Sequence, residues 1–181
     1  MADYPADLAR ERRLADGRSV TIRPIRAGDE PAERRFFDHL SGETRQLRFM
    51  KFASVLNEKL IHFFTQIDYD RHMAFVCEYR GELVGEARYL ANPDGRSCEF
   101  GVVIADDWHG SGIATLLMQA LIAAATARGF ETIEGLVLRR NEVMLSFVRE
   151  LGFALAAEPR EPAVVRVIRK LQPLGISAAS P

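Results

Sequence analysis

Residues 108–115 (WHGSGIAT) have the composition of a turn that binds a ligand. They lie between an apolar run (FGVVIA) that predicts a strand and an apolar stretch (LLMQALIAAA) that predicts a helix. The first N–H groups of a helix have no partner within the helix, and the peptide dipoles add partial positive charge at that end. Because Gly110 and Gly112 lack side chains that would block these groups, the turn suits an anion, above all a phosphate. The same glycines are also expected in a tight turn that binds nothing.

Two common phosphate-binding motifs do not fit this turn. A dinucleotide fingerprint has a third small residue where Thr115 stands, within a parallel βαβ unit that has an acidic residue at the end of its next strand. A Walker loop requires Gly-Lys-Ser/Thr, which is absent from this segment. Both motifs are therefore set aside.

The segment 109–114 (HGSGIA) resembles the pyrophosphate-binding turn of the GNAT acetyltransferase superfamily, which has the pattern Gln/Arg-x-x-Gly-x-Gly/Ala. His109 occupies the Gln/Arg position, and Ala114 is an accepted small residue at the last position. Downstream, residues 141–153 (NEVMLSFVRELGF) resemble the superfamily's helix after the fifth strand, including the final Leu-Gly-Phe. The resemblance implies an α/β (α+β) fold of GNAT type, with a mixed, mostly antiparallel central sheet flanked by helices.

The same resemblance implies a co-substrate, acetyl-CoA, and the residues that bind this form of coenzyme A. The backbone at residues 102–104 would pair with the pantetheine arm, and the turn at residues 109–114 would bind the pyrophosphate. Asn141, which is expected to cap the later helix, would add a hydrogen bond. These cofactor-binding residues are Val102, Val103, Ile104, His109, Gly110, Ser111, Gly112, Ile113, Ala114 and Asn141. Val148 stands where many relatives have a tyrosine that protonates the leaving thiolate, so no tyrosine acid is expected at that position.

Several longer stretches resemble the acetyltransferase domain of bacterial protein lysine acetyltransferases. They are TIRPIRAGDE, RFFDHLSGETRQLRF, TQIDYDRHMAFV, GEARY and CEFGVVIADDWHGSGIA. This narrower resemblance implies that the acceptor is a lysine side chain of a protein.

Acetylation of an amine requires a general base. An alkylammonium has a pKa near 10.4 and a carboxylate one near 4.3, so direct proton transfer is uphill by roughly 8 kcal/mol. A glutamate can still act if the site desolvates the ammonium, raises the pKa of the carboxylate or relays the proton through water. The resemblance places the base at Glu99, in the EF dipeptide of the strand before the turn. Glu86 is the alternative catalytic residue.

Glu99 also has a purely structural interpretation. If the turn at residues 92–95 closes tightly, Arg88 would face Glu99 across a hairpin and form a salt bridge with it. Strand alternation places Glu99, Gly101 and Val103 on one face, so that Gly101 either leaves room for substrate or marks a bulge. Cys98 then points to the other face, where a buried thiol is expected rather than a nucleophile.

The loop at residues 66–72 (QIDYDRH) also has two interpretations. Asp68 and Asp70 could attract a basic segment of the acceptor. A solvated loop in which these aspartates pair locally with Arg71 explains the same residues without a substrate.

Periodicity and turn residues predict the elements that position these groups. Asp16-Gly17 predicts a hairpin, and Asp29, Ser41, Asn57 and Asn141 are candidate helix caps. The predicted strands are 10–15, 18–25, 72–79, 82–91, 97–105, 132–138 and 163–171, and the predicted helices are 29–40, a short turn after 41, 58–66, 112–128 and 141–151. We expect an N-terminal segment with a hairpin strand over 1–18, the acetyltransferase domain over 19–172 and a flexible tail over 173–181.

Composition restricts the class of protein. A chain of 181 residues with 48% hydrophobic and 27% charged residues is long enough for one globular core. The net charge of −1 gives no reason to expect a nucleic acid or membrane partner, and no long uninterrupted apolar stretch predicts a membrane span. Two cysteines, Cys77 and Cys98, without metal-ligand spacing predict neither a disulfide framework nor a metal site. The charged N-terminus predicts a cytoplasmic location.

These observations lead to one main hypothesis and two alternatives. The main one is an N-acetyltransferase that moves the acetyl group of acetyl-CoA directly to a protein lysine, with a glutamate as base. The first alternative is a small-molecule amine acetyltransferase acting on a polyamine or an amino-sugar. The second is a non-catalytic acyl-CoA-sensing module. A homodimer is left open by the sequence.

Overall fold

The computed structural model describes residues 3–49 and 57–172, and the tail expected at 173–181 lies outside the described residues. The strands are β1 Arg10–Arg13, β2 Ser19–Pro24, β3 His72–Tyr79, β4 Glu82–Ala91, β5 Ser97–Ile104, β6 Thr132–Leu138, β7 Ala154–Ala157 and β8 Val164–Lys170. The helices are α1 Glu30–His39, α2 Gly42–Phe49, α3 Glu58–Thr65, α4 Ile113–Arg128 and α5 Glu142–Glu150. In the described part of the chain, no helix is both long and apolar enough to cross a bilayer.

The eight strands follow one another in the sheet in the order β1-β2-β3-β4-β5-β6-β8-β7. The pairs β1–β2, β2–β3, β3–β4, β6–β8 and β7–β8 are antiparallel, whereas β5–β6 is parallel. This mixed, mostly antiparallel sheet with five helices confirms the predicted fold class.

The chain divides into two compact units, the first of Met1–Leu90 with Phe100–Leu121 and the second of Ala91–Glu99 with Ile122–Pro181. Strand β5 and helix α4 each contribute to both units, because the chain passes from one unit to the other within them. The division at residues 18 and 172 that the sequence suggests stays a prediction.

The first unit contains the hairpins β1–β2 and β3–β4 and helices α1 to α3. The predicted Asp16-Gly17 turn is present: Gly17 has φ +88°, and Leu14 N donates to Arg18 O at 2.8 Å. An apolar cluster forms under the helices, because the buried faces of α1 and α3 meet the inward side chains of β3 there. Its members are Ile25, Phe36, Phe37, Leu40, Ile61, Phe64, Ile67, Ala74, Val76, Leu83 and Val103.

Two of the predicted helix caps in this unit have different outcomes. Asn57 caps α3, since its side chain accepts a hydrogen bond from Leu60 N at 2.9 Å. Asp29 does not cap α1 with its side chain, and this prediction was wrong. The Asp29 carboxylate instead accepts two hydrogen bonds from the buried guanidinium of Arg23, at 2.7 and 2.9 Å, and one from Arg26 N at 2.9 Å.

The second unit contains the start of β5, the end of α4 and the elements after it. Residues Ser97, Cys98 and Glu99 pair in parallel with Thr132, Ile133 and Glu134. Strand β7, which sequence patterning did not predict, pairs antiparallel with β8. Its four residues are mostly exposed and show no alternation of apolar and polar side chains, so they carry no strand signal.

Candidate active site

The turn at residues 109–112 has the geometry of an open anion cradle. Gly110 and Gly112 have φ +75° and +87°, values that favour glycine, and α4 begins at Ile113 immediately after them. Apart from the glycine itself and its two chain neighbours, no described heavy atom lies within 4 Å of a Cβ atom built at either glycine. Both glycines are exposed, so the backbone can be approached from solvent along its glycine side.

Backbone N–H groups are available at this helix start. Among the described residues, those of Gly110, Gly112 and Ala114 have no hydrogen-bond partner. Ile113 N reaches only the hydroxyl of Ser111, at 3.5 Å. The first helical hydrogen bond across the turn is from Leu116 N to Gly112 O, at 3.3 Å. Free N–H groups at the positive end of a 16-residue helix form a favourable site for a phosphate.

The side chains of the turn hold its shape. Ser111 donates to Trp108 O through its hydroxyl at 2.6 Å and through its N–H at 3.3 Å. His109 Nε2 lies 3.0 Å from Ile104 O, and because a carbonyl only accepts, this nitrogen carries the proton. His109 therefore ties the turn to the end of β5, a role that its Gln/Arg-like position did not predict.

Asp106 joins the segment before the turn to the start of α2. It accepts hydrogen bonds from Ser41 N at 2.9 Å, Ser41 Oγ at 2.7 Å and Thr44 Oγ1 at 2.7 Å. Burial raises the pKa of Asp106, but these hydrogen bonds outweigh it and lower the pKa to about 2. No local pattern in the sequence predicts this contact, because the paired residues are more than sixty positions apart.

Strand β5 carries the predicted base and the predicted pantetheine-binding residues. Glu99 is exposed, Val102 is half-buried, and Val103 and Ile104 are buried. Ala105 N donates to Val84 O at 3.0 Å, so this end of β5 is held against β4. The described pairing of β5 with β6 ends at Glu99. Strand β5 continues beyond that pairing as far as Ile104.

Glu86 lies in a buried cluster of ionisable groups formed by Glu33, His72, Glu86 and Arg88. Glu86 is 1% exposed, and Arg88 donates to its carboxylate through Nε at 2.7 Å and also through Nη2. Burial raises the pKa of Glu86, but the charge of Arg88 and a hydrogen bond with Glu33 outweigh it and lower the pKa to about 2. A carboxylate in this state is a weak base and is out of reach of a large substrate.

Glu33 and His72 complete this buried cluster. Burial and the neighbouring charge of Glu86 raise the pKa of Glu33 well above its usual value. Arg88 Nη1 lies 2.8 Å from His72 Nε2, and because a guanidinium only donates, this nitrogen is the acceptor. Burial and the charge of Arg88 lower the pKa of His72 to about 4, which agrees with a neutral imidazole.

The salt bridge considered between Arg88 and Glu99 does not match the hairpin register. The bonds from Asn92 N to Ser97 O and from Ala105 N to Val84 O set a register that places Gly101, not Glu99, opposite Arg88. The register is shifted because residues 93–96, rather than a tighter loop, connect the strands.

The other sequence candidates have local roles. Asn141 caps α5 by accepting from Met144 N at 3.1 Å, and it lies in the second unit. Val148 is fully buried, and its side chain has no titratable group. Asp68 accepts from the N–H groups of Asp70 and His72, at 2.9 and 2.8 Å, which favours a structural role for this carboxylate.

Cys98 is fully buried, as expected, and burial raises the pKa of its thiol to about 12. Such a thiol stays protonated at neutral pH and is a poor nucleophile. Among the described residues, no group of three or more His, Cys, Asp or Glu side chains is arranged to hold a metal ion.

Comparison with known proteins connects this geometry to a family. The model of the Acetyltransferase (GNAT) family matches residues 36–153. Acetyltransferase PA5475 of Pseudomonas aeruginosa is 37% identical over 156 residues, which cover 84% of this chain and 84% of that protein. Acetyltransferase Pat of Mycolicibacterium smegmatis is 27% identical over 134 residues, which cover 72% of this chain and 40% of that protein.

A solved structure gives the same result at the level of the fold. The crystal structure of the GNAT domain of S. lividans PAT superposes with a TM-score of 0.86 and 26% sequence identity. The match covers 93% of this chain and 100% of that chain. The acetyl donor of this family is acetyl-CoA. With its family match, its relatives and its glycine turn in agreement, the chain belongs to the GNAT acetyltransferase family and is an acetyltransferase.

Proposed function

We propose that the chain transfers the acetyl group of acetyl-CoA directly to the side-chain amine of a protein lysine, with Glu99 as general base. The observation that carries this proposal is the turn at residues 109–112, where two exposed glycines with positive φ precede a long helix. Among the described residues, the N–H groups of both glycines and of Ala114 lack hydrogen-bond partners. The lysine acceptor rests on the resemblance of several stretches to bacterial protein lysine acetyltransferases.

The residues present fit acetyl-CoA. The N–H groups of Gly110, Gly112 and Ala114 would donate to the pyrophosphate, and the space above both glycines leaves room for its oxygens. Residues 102–104 would pair with the pantetheine arm, since they lie beyond the last residue of β5 in the described pairing with β6. When bound, acetyl-CoA supplies a thioester carbonyl that an amine can attack.

Glu99 suits the role of base better than Glu86 does. Glu99 is exposed and lies three residues before the proposed pantetheine-binding stretch, so it can take a proton from the acceptor nitrogen and pass it to water. Glu86 is buried and bound to Arg88, so neither its position nor its lowered pKa favours proton transfer from a substrate. Asn141 would add a hydrogen bond to the cofactor besides capping α5.

No tyrosine acid is needed in this proposal. A thiol has a pKa near 8.5, so its thiolate is a tolerable leaving group that water can protonate. The buried Val148 side chain occupies the position where the resemblance would place a tyrosine.

The acceptor class can be tested by mass spectrometry. Purified protein and acetyl-CoA are incubated with lysine peptides whose N-terminus is blocked, and separately with polyamines and amino-sugars. We expect one added acetyl group on the peptides, and none on matched peptides in which arginine replaces lysine. Acetylation of small amines alone would replace the protein acceptor by the small-molecule alternative. Binding of acetyl-CoA without acetylation of any acceptor would favour the sensing module.

A further inference from the structure

Trp108 forms the base of the proposed pyrophosphate turn. Its carbonyl accepts both hydrogen bonds from Ser111, and its own N–H donates to Ala105 O at 2.8 Å. Any displacement of Trp108 would therefore move the turn through these hydrogen bonds. Trp108 is also the single tryptophan of the whole sequence.

The indole of Trp108 is held between two side chains from other parts of the first unit. It is 9% exposed, and the Tyr79 ring meets it edge-on, with the ring centroids 4.9 Å apart. The guanidinium of Arg18 lies over the indole, with its central carbon 3.7 Å from the ring centroid. A cation over the face of tryptophan is attracted by the ring quadrupole, and tryptophan is the best partner for this interaction.

Arg18 is itself held in place by Asp16. Arg18 Nε donates to Asp16 Oδ2 at 2.7 Å, Nη2 lies 2.5 Å from the same oxygen, and Arg18 N donates to Oδ1 at 3.0 Å. The turn that brings Asp16 and Arg18 together includes Gly17, whose positive φ allows it. A planar guanidinium bound in this way presents its face to the indole with little loss of side-chain entropy on contact.

The hairpin that carries Arg18 comes before the residues that the family model matches. The family model matches residues 36–153, whereas β1, its turn and β2 span residues 10–24. The contact with Trp108 is thus made by an element outside the matched segment.

We infer that Arg18 is a positioning residue for acetyl-CoA, which acts through Trp108 to hold the turn at residues 109–112 in its binding geometry. This inference rests on the proposed function, because it takes that turn as the pyrophosphate site. The guanidinium is expected to reduce the freedom of the turn before the cofactor binds, and a preorganised turn binds more tightly.

Removal of the guanidinium should therefore weaken cofactor binding without impairing the chemistry. For Arg18→Ala we expect the KM for acetyl-CoA to rise about three- to tenfold, the range that a partly buried cation–π contact covers. The kcat at saturating acetyl-CoA and the KM for the acceptor should stay close to wild type. The KM of Arg18→Lys for acetyl-CoA should lie between those of the wild type and Arg18→Ala. An ammonium keeps part of the cation–π attraction but loses the fixed geometry of the guanidinium.

The fluorescence of Trp108 provides a direct binding measurement. Titration of the wild type with coenzyme A should change the emission, since the single tryptophan lies at the base of the turn. In Arg18→Ala the free protein should emit at longer wavelength, because the indole loses its cover, and the Kd for coenzyme A should rise by the same factor as the KM. Arg13→Ala, which removes an exposed arginine of the same hairpin, is the matched control and should behave as wild type.

A double substitution tests the route through Trp108. If Arg18 acts through the indole, then Arg18→Ala should add little to the KM for acetyl-CoA in a Trp108→Leu background, and circular dichroism shows whether that background is folded. If that background is not folded, the KM of Arg18→Lys for acetyl-CoA decides: a value between those of the wild type and Arg18→Ala supports the inference, and a value equal to that of Arg18→Ala contradicts it. Unchanged Kd and KM in Arg18→Ala, or equal rises for both substrates, would overturn the inference. Failure of the wild type to bind coenzyme A would instead overturn the proposed function.

Discussion

The guanidinium of Arg48 lies against the backbone of Gly101, in the space that a Cβ atom at this position would occupy. Arg48 belongs to the last turn of α2, and the start of the same helix is bound to Asp106 through Ser41 and Thr44. Helix α2 is thus attached to the chain on both sides of the stretch proposed to bind pantetheine.

Gly101→Ala should lower turnover while the protein stays folded. The added methyl group would displace the Arg48 guanidinium, which is the flexible end of a long side chain, so the melting temperature should change little. The methyl group would also lie on the strand face that carries Glu99, where small displacements of substrate cost about ten- to hundredfold in rate. Steady-state kinetics and thermal melting measure the two effects. Gly28→Ala, at a glycine with open space around it, is the control, and normal turnover of Gly101→Ala would show that this face is not used.

Glu99→Gln should abolish most of the activity. Loss of a general base typically costs about 10²–10⁴-fold in rate, and the exposed position of Glu99 means that the fold should tolerate an amide. We expect a low kcat with a near-normal Kd for coenzyme A, measured by single-turnover kinetics and isothermal titration. Wild-type turnover at neutral pH would assign the base elsewhere.

Glu86→Gln should act on stability instead. The substitution leaves the Arg88 guanidinium buried at 2% exposure without the carboxylate that it binds. Breaking one side of a buried ion pair typically costs about 3–5 kcal/mol, so the chemical denaturation midpoint should fall sharply. A stable Glu86→Gln protein that lacks activity would instead support Glu86 as the base.

Gly112→Glu should prevent cofactor binding. Its carboxylate would bring negative charge to the N–H groups proposed for the pyrophosphate, and its Cβ would enter the space above the turn. Gly129→Glu is the matched control, because Gly129 follows the other end of α4 with an almost equal φ of +88° and also has open space around it. Both variants carry similar backbone strain, so only the loss of coenzyme A binding should distinguish them in a titration. Equal binding by both would remove the turn from the cofactor site.

What the sequence predicts well is local, and what it misses depends on distant partners. The caps at Asn57 and Asn141 were predicted correctly, because a side chain bonds there to a backbone group three residues away. Asp29 was misassigned because Arg23, from β2, competes for its carboxylate. The Arg18–Trp108 contact likewise joins two turns that are close only in the folded chain.

The buried cluster of Glu33, His72, Glu86 and Arg88 shows the same limit. Glu86 and Arg88 are two residues apart on one face of β4, but no spacing in the sequence brings Glu33 of α1 and His72 of β3 to them. Only the fold shows that the pKa of Glu33 is raised and that of His72 lowered beside the ion pair of Glu86 and Arg88, with consequences for the dependence of stability on pH.

Glu33 and His72 should influence stability with opposite signs. The pKa of His72 is lowered from its usual 6.5 to about 4, so its contribution is present above pH 6.5 and is lost as the pH falls towards 4. The pKa of Glu33 is raised above its usual 4.5, so its contribution is present below pH 4.5 and is lost as the pH rises towards the raised value. The two contributions therefore oppose each other from pH 4.5 up to the raised pKa of Glu33 or to pH 6.5, whichever is lower.

Glu33→Gln should remove one side of this balance. The glutamine amide can still donate to Glu86, so the variant should fold, but it no longer carries a titratable proton. We expect its free energy of unfolding to rise with pH between 4.5 and 6.5 more steeply than that of the wild type, by up to about 1.4 kcal/mol per pH unit. Urea denaturation at several pH values measures this difference, with the exposed Glu43→Gln as control. If the free energy of unfolding changes with pH in the same way for wild type and Glu33→Gln, the pKa of Glu33 is not raised in the folded protein. A raised pKa would make the folded protein hold one more proton than the unfolded chain, and this difference sets the slope of the unfolding free energy against pH.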